Sequence, residues 1–418
     1  MTFPQKNYNQ RKVAFRSVEP GVIIFLQERY NRRKSVPIRE IDLMYQTMLA
    51  DLGQRSLDGS FVAEFPLEGR FVSVPVKGKE YWYFDHPGQD GVKRSYVGPK
   101  KDEELTKRVT NFGAIKDDLR NRRRMVATLT REGGMNAPPR FTGDIIEVLA
   151  NAGLFRLRAV LVGTVAFQTY SGVLGVRLPA SLMQTSDAEF AQFHSISTAV
   201  NDSIPPIREV LEKLDPTFRE VPHLNHPTRS TQFVNAKNYR VEFLTPNTGS
   251  DDNQQKPADM PALGGISAEP LRVLDYLIYN PIRTVILHKS GITVNVPAPE
   301  RYAVHKLIVA SRRENDDNGV FKREKDVQQA SHLFEAMGAT RRHSDLALAY
   351  CEAWERGQSW RDAIARGLSF LRPDRRLQLM SVLAEGMAEI GENAVRYGVE
   401  MDPDGVGGIS TPEPKSRR

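Results

Sequence analysis

The sequence predicts an α+β protein of several domains, and three patterns carry that reading. Between residues 140 and 300, short apolar runs alternate with amphipathic stripes, as in a mixed sheet with helices. From Pro299 to about Tyr397 the chain is charged and helical in period. Residues 61–99 alternate apolar with polar side chains and are rich in aromatics, as strands are. These patterns give an α+β amino-terminal domain over 1–135, a mixed α/β domain over 136–300, a helical domain over 301–400 and a disordered tail over 401–418.

Residues 14–57 read as mainly helical, with Ile38, Ile41, Leu43, Met44, Met48, Leu49 and Leu52 forming an apolar stripe. Turn residues at Lys77-Gly78 and Pro87-Gly88 divide the aromatic stretch into strands. Tyr81, Trp82, Tyr83, Phe84 and Tyr96, with Lys93 and Arg94, form either half of a small core or a surface on which bases stack. Residues 101–133 make a long charged helix that ends at Gly133-Gly134. After Ala137-Pro138-Pro139 come a helix at 143–155, a strand at 159–163, a helix at 164–174, a strand at 187–193, a helix at 203–213, and strands at 231–235 and 239–244. Pro246–Gly265 is a polar, mobile loop. TVILHK and ITVNVP flank Ser290-Gly291 as a hairpin.

Composition narrows the function. Of 418 residues 40% are hydrophobic, and mean hydropathy is −0.44, as in chains that bury a sizeable core in water. The longest apolar run, Ala159 to Phe167, falls well short of the ~20 residues that span a bilayer, so no membrane partner is expected. No signal-peptide stretch opens the chain, and Cys351 is the only cysteine. An intrachain disulfide and a multi-cysteine zinc site are therefore excluded, and a reducing cytoplasm is the expected location. The net charge of +7 favours anionic partners such as nucleotides or nucleic acid. Basic clusters at Arg29–Lys34, Lys93-Arg94, Lys100-Lys101 and Arg120–Arg124 are either solvated faces or footing for a phosphate backbone. The GxSxG, GxxxxGK[ST] and GxGxxG motifs are absent from the sequence.

Three acids are set into apolar runs. Asp187 and Glu189 flank Ala188, and Glu242 lies between Val241 and Phe243. Successive strand residues point to opposite faces, so Asp187 and Glu189 share one, and Glu242 on a neighbouring strand can join them. Three carboxylates on one face repel each other unless a cation lies among them, and hard oxygen ligands suit Mg²⁺. Two metals held by shared carboxylates organise phosphoryl or nucleotidyl transfer. Upstream, Gly163-Thr164 ends an apolar run and opens a helix, which brings backbone N–H groups and a hydroxyl towards a phosphate.

The order strand, Gly-Thr, helix, Asp-x-Glu strand and later acidic strand resembles the DNA polymerase beta-like nucleotidyltransferase superfamily. Gly163, Thr164, Asp187, Glu189 and Glu242 match its signature. Thr164 stands where Ser or Gly is usual, and the gap from Gly163 to Asp187 is longer than is common. The segments Val296–Arg313 and Lys322–Met337 look like later motifs of the abortive-infection, type IV toxin–antitoxin nucleotidyltransferases. Lys306 and Arg313, seven apart, share a helix face, and Lys325-Asp326 matches a basic-Asp pair.

The resemblance implies a minimal nucleotidyltransferase mixed sheet with helices, an NTP substrate and a two-metal Mg²⁺ site. Asp187 and Glu189 would hold both metals, and Glu242 would complete the one that activates the acceptor. Gly163, Thr164, Lys306, Arg313, Asp326 and Arg229 would bind the nucleotide. Arg229, in VPHLNHPTRS, is taken for this role because relatives place a basic residue near there; the neighbouring His223 and His226 read as loop residues. The acceptor would be tRNA or another RNA, in a toxin or defence role with a possible antitoxin partner. Protein hydroxyls, as in AMPylation, are the alternative acceptor, and a non-catalytic nucleotide- or RNA-binding protein is the alternative from another class.

Overall fold

A computed structural model describes residues 38–58, 69–76, 78–88, 91–199, 203–247 and 256–399. The chain divides into two units, Met1–Ile38 and Arg39–Arg418. Of the first, only Ile38 lies among the described residues. The helical reading of residues 14–37, the Arg29–Lys34 cluster and the tail after residue 400 therefore fall outside them, as do residues 61–68 of the aromatic stretch.

Helix α1 (Leu43–Asp58) begins later than its apolar stripe suggests. Asp42 accepts the Met44 N–H at 2.8 Å, while Ile41 precedes the helix and its N–H bonds the Gly175 carbonyl at 2.7 Å. Strands β1 (Arg70–Val76), β2 (Lys79–Gly88) and β3 (Gly91–Pro99) form an antiparallel sheet. It packs on α2 (Glu103–Arg131), the long charged helix, whose Asp102 cap accepts the Leu105 N–H. Alternation sends Phe84 and Trp82 towards α2. Phe84 meets Phe71 and Phe112, and the Trp82 indole donates to the Thr106 hydroxyl at 3.0 Å. Phe84 is core, and Trp82 is half-buried against α2. Arg94 is engaged as well, paired with buried Asp85.

The basic run on α2 is split by the helix. Arg122 is buried and pairs with Asp118 at 3.0 Å, whereas Arg120, Arg123 and Arg124 are exposed. Below Arg122, Val126 and Leu129 enter a core shared with Ile41, Leu52, Met135, Val285 and Leu287.

After α3 (Arg140–Asn151), a seven-stranded mixed sheet holds β4 (Val160–Val162), β5 (Asp187–Ala191), β6 (Arg219–Pro222), β7 (Ser230–Val234), β8 (Arg240–Pro246), β9 (Ala258–Met260) and β10 (Ile266–Leu271). Its main path runs β4-β5-β8-β10-β9. Strand β8 is parallel to β5 on one edge; on the other it pairs with β7 in its first half and β10 in its second. Helix α4 (Gly163–Leu174) packs on β4 and β5. Ala188, Phe190, Val241 and Phe243 are buried on the sheet's apolar face, with the Phe190 and Phe243 rings stacked 5.8 Å apart.

Several expected boundaries move. The strand beginning at Asp187 stops at Ala191, and His194–Ala199 forms helix α5. Helix α6 (Ile207–Leu214) starts after Pro205-Pro206, because neither proline offers an N–H and the first restrains its predecessor. The loop expected over Pro246–Gly265 contains β9, which pairs antiparallel with β10 and buries Met260; its residues 248–255 lie outside the described ones.

After the short helix α7 (Leu274–Leu277), β11 (Ile282–Ile286) and β12 (Ile292–Val296) form the expected hairpin, with Gly291 at positive φ in its turn. The Asn295 amide ties it to the carbonyls of Phe155 and Ala159, both at 3.0 Å. Helices α8 (Pro299–Ser311), α9 (Asp317–Ala339), α10 (His343–Glu355), α11 (Gln358–Ser369) and α12 (Pro373–Glu389) complete an α+β chain. Among the described residues no helix is long and apolar enough to cross a membrane.

Candidate active site

The parallel pairing of β5 with β8 sets Asp187 opposite Arg240 and Glu189 opposite Glu242. Residues two apart share a face, so Asp187, Glu189, Arg240 and Glu242 all stand on the side away from the apolar core. Burial follows this phase: the three acids are half-buried while Ala188, Val241 and Phe243 are wholly buried. The Thr185 hydroxyl hydrogen-bonds the Asp187 carboxylate.

Close approach raises proton affinity. Burial, reinforced by the charges of Asp187 and Glu242 and opposed by Lys306 and Arg313, pushes the Glu189 carboxyl up to about 7. Glu242 is raised too, by burial first and then by Asp187, with Arg240 and Lys322 opposing.

Gly163 is the first residue of α4, at φ +65°, and Val162 just before it pairs with Glu189. A side chain there would drive its Cβ into the Glu189 carboxylate, so only glycine satisfies both the backbone angle and the close approach. The start of the helix thus lies against Glu189, with Thr164 half-exposed beside it and the first-turn N–H groups outside the helix's own hydrogen-bond ladder. The Tyr302 hydroxyl lies 3.0 Å from the Gly163 carbonyl.

Helix α8 and the turn after it supply cations; Arg313 lies two residues beyond the end of α8, so it does not share a helix face with Lys306 as their spacing suggests. Lys306 Nζ lies 2.6 Å from Asp326 Oδ1, and Arg313 Nε lies 2.9 Å from Asp326 Oδ2. Asp326 is only 3% exposed, and although burial would raise its carboxyl, the two cations hold it below the usual range. The geometry therefore makes Asp326 the clamp that aims Lys306 and Arg313, rather than a group open to a ligand. Lys325, the basic half of the basic-Asp pair, also bears on the acidic face. Its Nζ donates to the Gln184 carbonyl at 2.8 Å. Burial lowers its proton affinity, as does Lys306, while Asp187 and Glu189 oppose. Arg240 and Lys322, which bear on Glu242, were missed; strand parity could have found Arg240.

Arg229 does not join this group. Its guanidinium bonds Asp259 at 2.8 Å and the Pro257 carbonyl, tying the turn before β7 to β9. His223 accepts the Asn225 N–H on Nδ1, so Nε2 carries the proton towards Glu269 at 3.1 Å. His226 stacks on His223.

The acidic face fits a divalent cation by the chemistry of its donors: carboxylate oxygens only, with the proton affinities of Glu189 and Glu242 raised by burial and neighbouring charge. Among the described residues, the groups whose three ligand atoms all lie within 4.8 Å of one another are Asp144, Glu147 and His288, and His343, Glu385 and Glu389; Asp187, Glu189 and Glu242 do not form such a group. The first already holds a cation, Lys289, bonded to both of its carboxylates.

No curated protein and no solved structure matches the chain. Residues 140–355 match the model of a protein family described as nucleotidyltransferase, a span that begins with α3 and ends with α10. It covers just over half of the 418 residues and includes the acidic face, the Gly163 turn and the cation clamp, so the chain belongs to this nucleotidyltransferase family and is a transferase enzyme.

Proposed function

We propose that the protein moves an NMP from an NTP to a hydroxyl at an RNA end, with Asp187, Glu189 and Glu242 as the catalytic acids. The observation that carries this reading is the parallel register that sets Glu189 beside Glu242, facing a Lys306–Arg313 pair aimed by a buried aspartate. The acceptor oxygen attacks the α-phosphorus, the bond from that phosphorus to the bridging oxygen breaks, and pyrophosphate leaves. Glu242, whose proton affinity is raised, receives the acceptor's proton. Lys306 and Arg313 offset the charge that grows on pyrophosphate, and the Gly163–Thr164 turn cradles the phosphates. Mg²⁺ held by Asp187, Glu189 and Glu242 would supply charge neutralisation and align the attacking and leaving oxygens.

In this reading residues 136–300 carry the chemistry, 301–400 the cations and 1–135 the acceptor contacts. RNA is favoured by the net charge of +7 and by exposed Arg120, Arg123 and Arg124 on α2. A toxin or defence role, with an antitoxin protein as partner, is the biological setting that the resemblance suggests. The test is incubation with each labelled NTP, Mg²⁺ and total RNA or lysate. Label in RNA supports the reading; label in protein replaces the acceptor; no transfer with any NTP overturns it.

A further inference from the structure

Two tyrosines stitch α4 to α8 in opposite directions. Tyr302, on α8, reaches the Gly163 carbonyl at the start of α4, at 3.0 Å. Tyr170, on α4, donates to the Pro297 carbonyl just ahead of α8, at 2.8 Å. The rings meet edge-on, 5.2 Å between centroids, and both side chains are buried. The bonds are alike in chemistry, though the one to Gly163 is the less buried, and only that one ends on the Gly163 turn.

The Tyr302 hydroxyl has a second neighbour. Gln329 Oε1 lies 3.1 Å away, and the Gln329 amide N–H₂ is committed to the Leu182 carbonyl at 3.0 Å. Both oxygens facing the hydroxyl are acceptors, so its single proton is shared between Gly163 and Gln329. The ring of Tyr302 also lies 5.2 Å from Lys306 Nζ, one helical turn further on. One buried side chain thus touches the phosphate-facing turn with its hydroxyl and the phosphate-facing lysine with its ring.

We propose that Tyr302 is a positioning residue for the nucleotide. Its hydroxyl fixes the Gly163 peptide so that the turn's N–H groups keep their aim, and its ring holds Lys306 in register with them. This rests on the reading that Gly163–Thr164 and Lys306 bind the phosphates. A rigid pairing of the two elements reduces the ordering cost of binding a triphosphate.

The matched pair of tyrosines supplies the test. Tyr302→Phe keeps the ring and removes the bond to Gly163, while Tyr170→Phe removes the equivalent bond to Pro297. Affinity for each NTP with Mg²⁺ is measured by calorimetry alongside the thermal midpoint. Both variants should lose a few degrees of midpoint, but only Tyr302→Phe should weaken nucleotide binding, by about tenfold, with Tyr170→Phe within about twofold of wild type. Equal affinity in both variants would make Tyr302 merely structural and overturn the proposal. Gln329→Met gives a second reading that does not depend on how well Tyr302→Phe folds. It leaves the whole Tyr302 proton to Gly163, so nucleotide affinity should stay within about twofold. A tenfold loss there would show that any break in the buried network weakens binding, which overturns the particular role of the Gly163 bond. Wild-type protein that binds no NTP would remove the underlying reading of the site; wild-type binding with unaltered Tyr302→Phe would remove this proposal alone.

Discussion

Glu189→Gln should make the metal-free protein less sensitive to pH. In the folded chain burial, Asp187 and Glu242 push the Glu189 carboxyl from 4.5 up to about 7. The folded state therefore holds a proton that the unfolded chain releases. The stability this contributes is fully present below about pH 4.5 and is lost as pH rises through 7. The shift corresponds to about 3 kcal/mol at most, and to about 2 kcal/mol after allowing for the partial exposure of the side chain. Glutamine has no proton to lose, so the variant should gain that amount relative to wild type between pH 4.5 and pH 8. Urea unfolding of both proteins at several pH values, with a chelator present, measures it. Adding saturating Mg²⁺ should then restore the wild type at high pH, because the cation binds only the folded carboxylate set. Parallel pH curves for the two proteins, differing by less than about 0.5 kcal/mol across the range, would refute the burial and crowding of the Glu189 carboxyl at this face.

Asp187→Ala should abolish label transfer while leaving the thermal midpoint at or above wild type, because it removes one of three mutually repelling charges; full activity would end the catalytic assignment. Lys306→Ala should reduce turnover even at saturating NTP and cost about 1–3 kcal/mol of stability, since buried Asp326 keeps only Arg313 as partner. Lys306→Arg should restore part of both, a planar fork being an incomplete replacement for a point charge; wild-type turnover in the alanine variant would return Lys306 to a purely structural pairing. Replacing exposed Arg123 and Arg124 by Ala should weaken RNA binding and flatten its salt dependence without touching NTP affinity, as read by filter binding over a salt series.

The acidic face was legible because strand parity is local: Asp187 and Glu189 two apart, and Glu242 bracketed by Val241 and Phe243, are enough to phase both strands. What parity could not give was the register that sets Glu189 opposite Glu242, which is a tertiary fact. The role of Asp326 was hidden for the same reason. Its partners lie 20 and 13 residues earlier, Lys306 on α8 and Arg313 in the turn after it, so the sequence shows a basic-Asp pair but not a clamp. Arg122 could have been separated from its neighbours, since Arg122, Val126 and Leu129 form one helical stripe, and a stripe that buries Leu129 buries the arginine stem with it. Strands β9 and β10 gave little signal. The first has three residues, and the second carries Glu269 and Pro270 and is held by parallel pairing to β8.

The central claim is that the transferred group is the nucleotidyl unit. Parallel reactions with α-phosphate-labelled and γ-phosphate-labelled NTP, Mg²⁺ and RNA test it directly. Label should reach the acceptor only from the α position, with γ label released as pyrophosphate and the transfer lost in Asp187→Ala. Transfer of γ label, or α transfer that survives Asp187→Ala, would contradict the account.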